Sequence, residues 1–139
     1  MNKLLLKLAI TAAAGSLLSS NPMVAQLSPT TPKAARVRIT QGPELELAKE
    51  YLTIIRWTTN NPGGSPEHFG VVHYGTDLKN LSQTAKSPIR LNPSHSSTIF
   101  RVRLQALKPA TTYYYTVDSM ESNGKSDGVI SPVKKFTTP

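Results

Sequence analysis

The 139-residue sequence contains no cysteine. That excludes thiol nucleophiles, zinc–thiolate sites, iron–sulfur clusters and a disulfide framework. It also excludes a bacterial lipoprotein anchor, which is attached through a cysteine at the cleavage point. Acidic residues are scarce, 8 against 16 Lys and Arg, for a formal net charge of +8. Histidine occurs only at His68, His73 and His95. No apolar run approaches the roughly 20 residues that a spanning helix needs. Helical periodicity of useful length is missing as well.

What is present begins with an address. Met1 to Lys7 is a short positive region, and Leu8 to Leu18 (LAITAAAGSLL) is an apolar stretch too short and interrupted to cross a bilayer. Together they form a secretory signal, expected over residues 1–25 with cleavage after Ala25, although Met23 stands where a small residue is usual. The alternative is an uncleaved anchor. Residues 26–35 (QLSPTTPKAA) hold two prolines, which fix φ and cannot donate to a ladder, so an extended linker is expected there. Residues 36–139 remain as one folded domain, close to the roughly 100 residues of an immunoglobulin-like sandwich. The protein is expected outside the cytoplasm, secreted or periplasmic, with no membrane span after cleavage. Without Lys3 and Lys7 the charge of +8 falls to +6. The basic residues are scattered along the chain, which suits a domain that resists self-association.

From Arg36 onward apolar residues recur with period two between turn signals. Arg36–Thr40 alternates and is expected to stop at Gln41-Gly42-Pro43. Glu44–Lys49 (ELELAK), opened by a proline, is expected as a turn or a single helical loop. Tyr51–Thr59, Phe69–Tyr74, Ser97–Leu104, Thr111–Ser119 and Val133–Thr138 read as strands, with Leu81–Lys86 as a weaker edge strand. Short strands separated by Gly, Pro and Asn clusters predict an all-β antiparallel sandwich of about seven strands.

Three features narrow that prediction: Trp57 with Ile55 on the same face of its strand, Val72-His73-Tyr74 closing the next strand, and Leu107-Lys108-Pro109-Ala110-Thr111-Thr112-Tyr113-Tyr114-Tyr115-Thr116-Val117. The last resembles the E–F corner of fibronectin type III domains, in which a tyrosine hydroxyl bonds back to the backbone; Tyr113 takes that place. Trp57-x-Thr59, Val72-x-Tyr74-Gly75, the triple tyrosine and the closing Phe136-Thr137-Thr138-Pro139 resemble the N-terminal domain of purple acid phosphatases. The resemblance covers roughly Val37 to Pro139. It implies a sandwich that precedes a dinuclear metallophosphatase domain, and a chain that crosses between them at a Phe-Thr-Pro stretch. The metal-binding motifs of that catalytic domain, Asp-x-His and Gly-Asn-His among them, do not occur in this sequence. No catalytic residue, metal ligand or cofactor is therefore expected.

Few residues remain as candidates for contact. His68 and His73 are five apart on a strand, so they are expected on opposite faces, as exposed strand or loop histidines rather than metal ligands. His95 lies in Asn92-Pro93-Ser94-His95, a turn sequence rather than a nucleophile with its base. Alternation puts Tyr113 and Tyr115 inward and Tyr114 outward. With Arg101 and Arg103 on a neighbouring strand, Tyr114 is the candidate for an aromatic–basic surface. Leu52 and Ile54 have the opposite parity to Ile55 and Trp57 and form a candidate apolar patch on an outer face. The expected function is that of an exported, non-catalytic binding or spacer module, its partner a protein or an envelope polysaccharide and not a nucleic acid. The alternatives are a polysaccharide-binding domain and a detached front domain of a purple acid phosphatase.

Overall fold

The computed structural model describes residues 31–49 and 51–139. The expected signal segment and the first half of the expected linker lie outside the described residues. Eight strands follow one another: β1 Ile39–Lys49, β2 Leu52–Asn60, β3 Glu67–Gly75, β4 Gln83–Arg90, β5 Ser97–Leu104, β6 Thr112–Glu121, β7 Ser126–Ile130 and β8 Lys134–Thr137. They form two antiparallel sheets, one ordered β1-β2-β5, the other β4-β3-β6 with β7 and β8 both paired to the far edge of β6. No helix occurs among the described residues. This is the all-β antiparallel sandwich that the period-two pattern predicts.

Alternation explains why these segments pair as they do. Ile55 and Trp57 on β2 face inward and lie opposite Val102 and Phe100 on β5. The Trp57 and Phe100 rings stack with centroids 5.3 Å apart and planes at 16°. The other sheet contributes Val72, Tyr74, Tyr113, Tyr115, Val117 and Phe136 to the same core. Burial, with the Glu44 charge as a lesser cause, pushes the Tyr115 hydroxyl up to about 12, so it stays neutral in the core.

The corner tyrosine is placed as expected. The Lys108 N–H donates to the Tyr113 hydroxyl oxygen at 2.9 Å, tying the chain entering β6 to the turn before it. Tyr113→Phe keeps the ring and leaves that N–H without its partner. A loss of about 1–1.5 kcal/mol in a urea melt is expected, and an unchanged midpoint would show that water replaces the bond at no cost.

Three segments differ from expectation. The stop at Gln41–Pro43 and the turn or helical loop over Glu44–Lys49 are instead one continuous strand, β1. Acid and apolar residues alternate in Glu44-Leu45-Glu46-Leu47, and β2 supplies a ladder for them, so tertiary pairing overrides local preference. Gly42 absorbs the irregularity with φ +81°, where a side-chain carbon would stand 2.9 Å from the Arg56 carbonyl oxygen. The weak edge strand expected at Leu81–Lys86 is β4, shifted to Gln83–Arg90 and running through Pro88. It pairs only with β3 among the described residues, and an edge strand tolerates a residue without an N–H. The strand that the expectation lacks is β7, whose Ser126-Asp127-Gly128 has the composition of a turn.

Candidate functional site

The densest group of polar side chains lies at one end of the sandwich, where β3, β6 and β7 meet the segment before β1. His68 on β3 shares its inward parity with Gly70, Val72 and Tyr74 and is fully buried. Its Nε2 stands 3.3 Å from Asp127 Oδ1, but neither Nε2 nor Nδ1 makes a hydrogen bond among the described residues. Asp127, on β7, also accepts from the Ser119 hydroxyl at 2.6 Å through Oδ2 and from the Lys33 ammonium through Oδ1. Lys33 reaches Glu121 Oε2 as well, at 3.8 Å. Glu121 Oε1 accepts from both the N–H and the hydroxyl of Ser65 at 3.0 Å.

Electrostatics inside the cluster follow from this wiring. Burial alone would lift the Asp127 carboxyl, but the adjacent His68 ring and the hydrogen bonds from Lys33 and Ser119 outweigh it and hold the group below the ordinary carboxylate range. The Ser65 N–H is the largest cause that holds Glu121 below its ordinary value, with the Ser65 hydroxyl and Lys33 adding to it. On the outer face of β3, His73 lies 3.4 Å from Asp118; burial nonetheless raises the Asp118 carboxyl.

The cluster holds a serine, a histidine and an aspartate, yet it is not wired for hydrolysis. A nucleophile needs its base at the hydroxyl and a third group behind the base. Here the Ser119 hydroxyl is bonded to the carboxylate, and no hydroxyl approaches the imidazole. Among the described residues no group of three or more His, Asp or Glu is placed to hold a metal ion. What the arrangement does is fasten the chain ahead of β1. Lys33 is tied to Asp127, Thr31 bridges Gly64 and the Ala34 N–H donates to the Pro62 carbonyl at 2.8 Å. The packing is close: a side-chain carbon on Gly63, whose φ is +65°, would lie 2.0 Å from the Pro32 carbonyl oxygen.

His68 therefore corrects the expectation of an exposed histidine. Asp127 gives its ring a buried polar neighbour, and the inward parity it shares with Val72 and Tyr74 was the available signal. No local signal marks Lys33, which is 94 residues from its partner. His73 does lie on the opposite face, as spacing predicts. His95 sits in a turn, its N–H donating to the Asn92 carbonyl at 3.0 Å, with Ser94 bonded to the Asn92 side chain.

The aromatic–basic surface expected from Tyr114, Arg101 and Arg103 is not assembled. Tyr114 is on β6, beside Gly75 and Lys135, and faces out from the larger sheet. Arg101 and Arg103 are on β5, on the outer face of the three-stranded sheet. The connection between β5 and β6 crosses from one sheet to the other, so strands adjacent in sequence are not neighbours here.

Leu52 and Ile54 do lie on the outer face of β2, half-buried, and Ile54 is directly opposite Arg103. Glu44 and Glu46 on β1 face the same way. Arg56 pairs with Glu44 at 3.2 Å, and Arg101 Nε with Glu46 at 2.8 Å. Such exposed pairs contribute little to stability and chiefly set the charge pattern of the face. Leu52→Ser with Ile54→Ser is expected to keep cooperative thermal unfolding at a cost of about 1 kcal/mol per site. A broad, non-cooperative melt would assign these side chains to the core instead.

Comparison with known proteins places this architecture. The family model of the purple acid phosphatase N-terminal domain matches residues 41–138. No curated protein matches the chain. Among solved structures, the sensor domain of the anti-sigma factor RsgI4 from Pseudobacteroides cellulosolvens superposes with a TM-score of 0.50 at 18% identity. That likeness covers 73% of this chain and 88% of the other, and at such identity it shows the fold alone.

Proposed function

Because the chain belongs to the family of purple acid phosphatase N-terminal domains, we propose that it is an exported, non-catalytic module that works by binding a protein partner or by spacing one domain from another. The observation that carries this is the family match, which spans the strands of both sheets and describes a domain lying ahead of the catalytic one. The fate of the chemistry-bearing side chains supports it: Asp127, His68 and Ser119 are buried, and the Ser119 hydroxyl is bonded to the carboxylate rather than to the imidazole. Lys3, Lys7 and the apolar stretch Leu8–Leu18 support export.

The test is an assay of the purified chain with a chromogenic phosphomonoester in the presence of iron, zinc or manganese. No turnover above the blank is expected. Turnover that copurified with the chain and disappeared on chelation would overturn the non-catalytic reading.

A further inference from the structure

The acidic residues are unevenly distributed along the chain. None occurs between Asp77 and Asp118, a stretch that carries Lys79, Lys86, Arg90, Arg101, Arg103 and Lys108. Folding brings three of these, Arg90, Arg101 and Arg103, to one border of the sandwich. β4 bears Lys86 and Arg90, β5 bears Arg101 and Arg103, and the two strands lie against each other at the same side of the sandwich although they belong to different sheets. The seam between them is thus lined by cations from both sheets.

The seam is also open. β5 pairs only with β2, and β4 only with β3, so each presents an edge without a ladder partner among the described residues. Two cavities lie along it, each of ≈240 Å³. One is lined by Ile54, Ser87, Arg101 and Arg103, the other by residues that include Ile89, Arg90, His95 and Ile99. Isoleucines therefore separate the charges. Arg101 is held by Glu46, whereas Arg103, one pleat further on, makes no ion pair among the described residues.

We infer that the β4–β5 seam is a docking groove for an extended acidic segment of a partner protein, which adds as a strand to the free edge of β5 and sets carboxylates at alternate positions against Arg101 and Arg103. This deepens the binding reading above and rests on it. An unpaired strand edge offers main-chain hydrogen bonds at every second residue, and side-chain matching supplies the selectivity. Arginines two residues apart on one face are about 6.8 Å apart, the repeat at which an added strand presents residues i and i+2. The chain holds its own precedent, since Glu44 and Glu46 on β1 are likewise two apart and engage Arg56 and Arg101. The remaining residues of such a segment turn toward the seam, where Ala85 and Ile89 are half-buried. An anionic glycan would meet the charges without a ring to stack on, since no Trp, Tyr or Phe lines either cavity.

The test uses the full chain and a fluorescent ten-residue peptide alternating Glu with Val, followed by anisotropy at near-physiological salt. Binding is expected, weakened roughly tenfold by Arg103→Glu in a variant whose thermal melt is unchanged. A peptide with two central Val replaced by Pro keeps the charge and loses main-chain donors, so it is expected to bind at least about tenfold more weakly. Equal affinity for the proline peptide, or for one with its glutamates grouped at one end, would show charge attraction without strand addition and overturn the proposal. Tighter binding of polyglucuronate, competing with the peptide, would overturn it in favour of a glycan surface. A chain that ignores every peptide and still turns over no phosphomonoester overturns the seam alone and leaves the non-catalytic reading standing.

Discussion

Replacing Asp127 with alanine is expected to cost about 2–4 kcal/mol of stability and to release the chain ahead of β1 from the sandwich. The magnitude follows from what is left behind. Ser119 is fully buried and loses its acceptor, His68 keeps no polar neighbour at either nitrogen, and the Lys33 ammonium loses its nearest counter-charge. A buried donor without a partner costs more than the bond it made was worth, because its desolvation is no longer offset. The side chain of Lys33 is one-third exposed and rehydrates, which keeps the estimate below the upper end of the range for broken buried pairs. Urea melts give the loss, and limited proteolysis near Lys33 gives the release. A variant destabilised without faster cleavage there would confine Asp127 to the β3–β6–β7 packing.

The same cluster sets an acid dependence whose sign is fixed. Asp127 and Glu121 are both held below their ordinary values in the folded chain. In the window between folded and unfolded values the unfolded chain therefore binds more protons, and stability rises with pH. Their contribution is complete above the unfolded carboxylate range, near pH 4, and is lost as pH falls through the folded values. Asp118 acts in the opposite direction: burial raises it despite His73, so its penalty is present above its folded value and relieved by acid. Asp127→Asn is expected to flatten the stability profile below about pH 4. A profile as steep as that of the unsubstituted chain would assign the acid sensitivity to Glu121.

How much of the fold is legible in the sequence depends on whether the governing contact is local. β5 was legible to the residue, because Thr98, Phe100, Val102 and Leu104 alternate without a break against Ile99, Arg101 and Arg103. The Tyr113 corner was legible through the resemblance of Leu107–Val117 to the fibronectin type III corner, a local motif whose donor and acceptor are five residues apart. β1 was not, since the Gly42–Pro43 interruption resembles a stop until β2 is there to carry the ladder past it. β7 was not, because its pairing with β6 is short and irregular and Asp127 looks like a turn residue unless Ser119 and Lys33 are seen beside it. The candidate contact residues divide along the same line. Parity correctly sent Leu52, Ile54, Arg101, Arg103 and Tyr114 outward, but parity is blind to the sheet in which a strand lies. Tyr114 was thus joined to two arginines on the other side of the molecule, and the arginines of β4 and β5, which do share a seam, looked scattered.

Trp57→Ala is expected to cost about 3–5 kcal/mol, the range for truncating a large aromatic in a core. Trp57 is the sole tryptophan, is 1% exposed, and its ring stacks on Phe100 at the centre of the inner face. Its Nε1–H has no hydrogen-bond partner, so the residue stabilises through its area and not through a polar anchor. Facing it across the core is Gly70 on β3, where a side-chain carbon would meet Val102 at 3.0 Å and Phe100 and Trp57 at 3.1 Å. Gly70 is thus the hollow into which the indole fits, and Gly70→Ala in the unsubstituted chain is expected to cost about 1–3 kcal/mol through overpacking. In the Trp57→Ala background one of those three neighbours is gone. There the added methyl fills part of the cavity, and Gly70→Ala is expected to be neutral or to recover up to about 1 kcal/mol. Unfolding followed by far-ultraviolet circular dichroism closes the double-mutant cycle without the tryptophan signal. Additive losses would show that Val102 and Phe100 alone bar a side chain at position 70, and that Trp57 does not depend on the hollow.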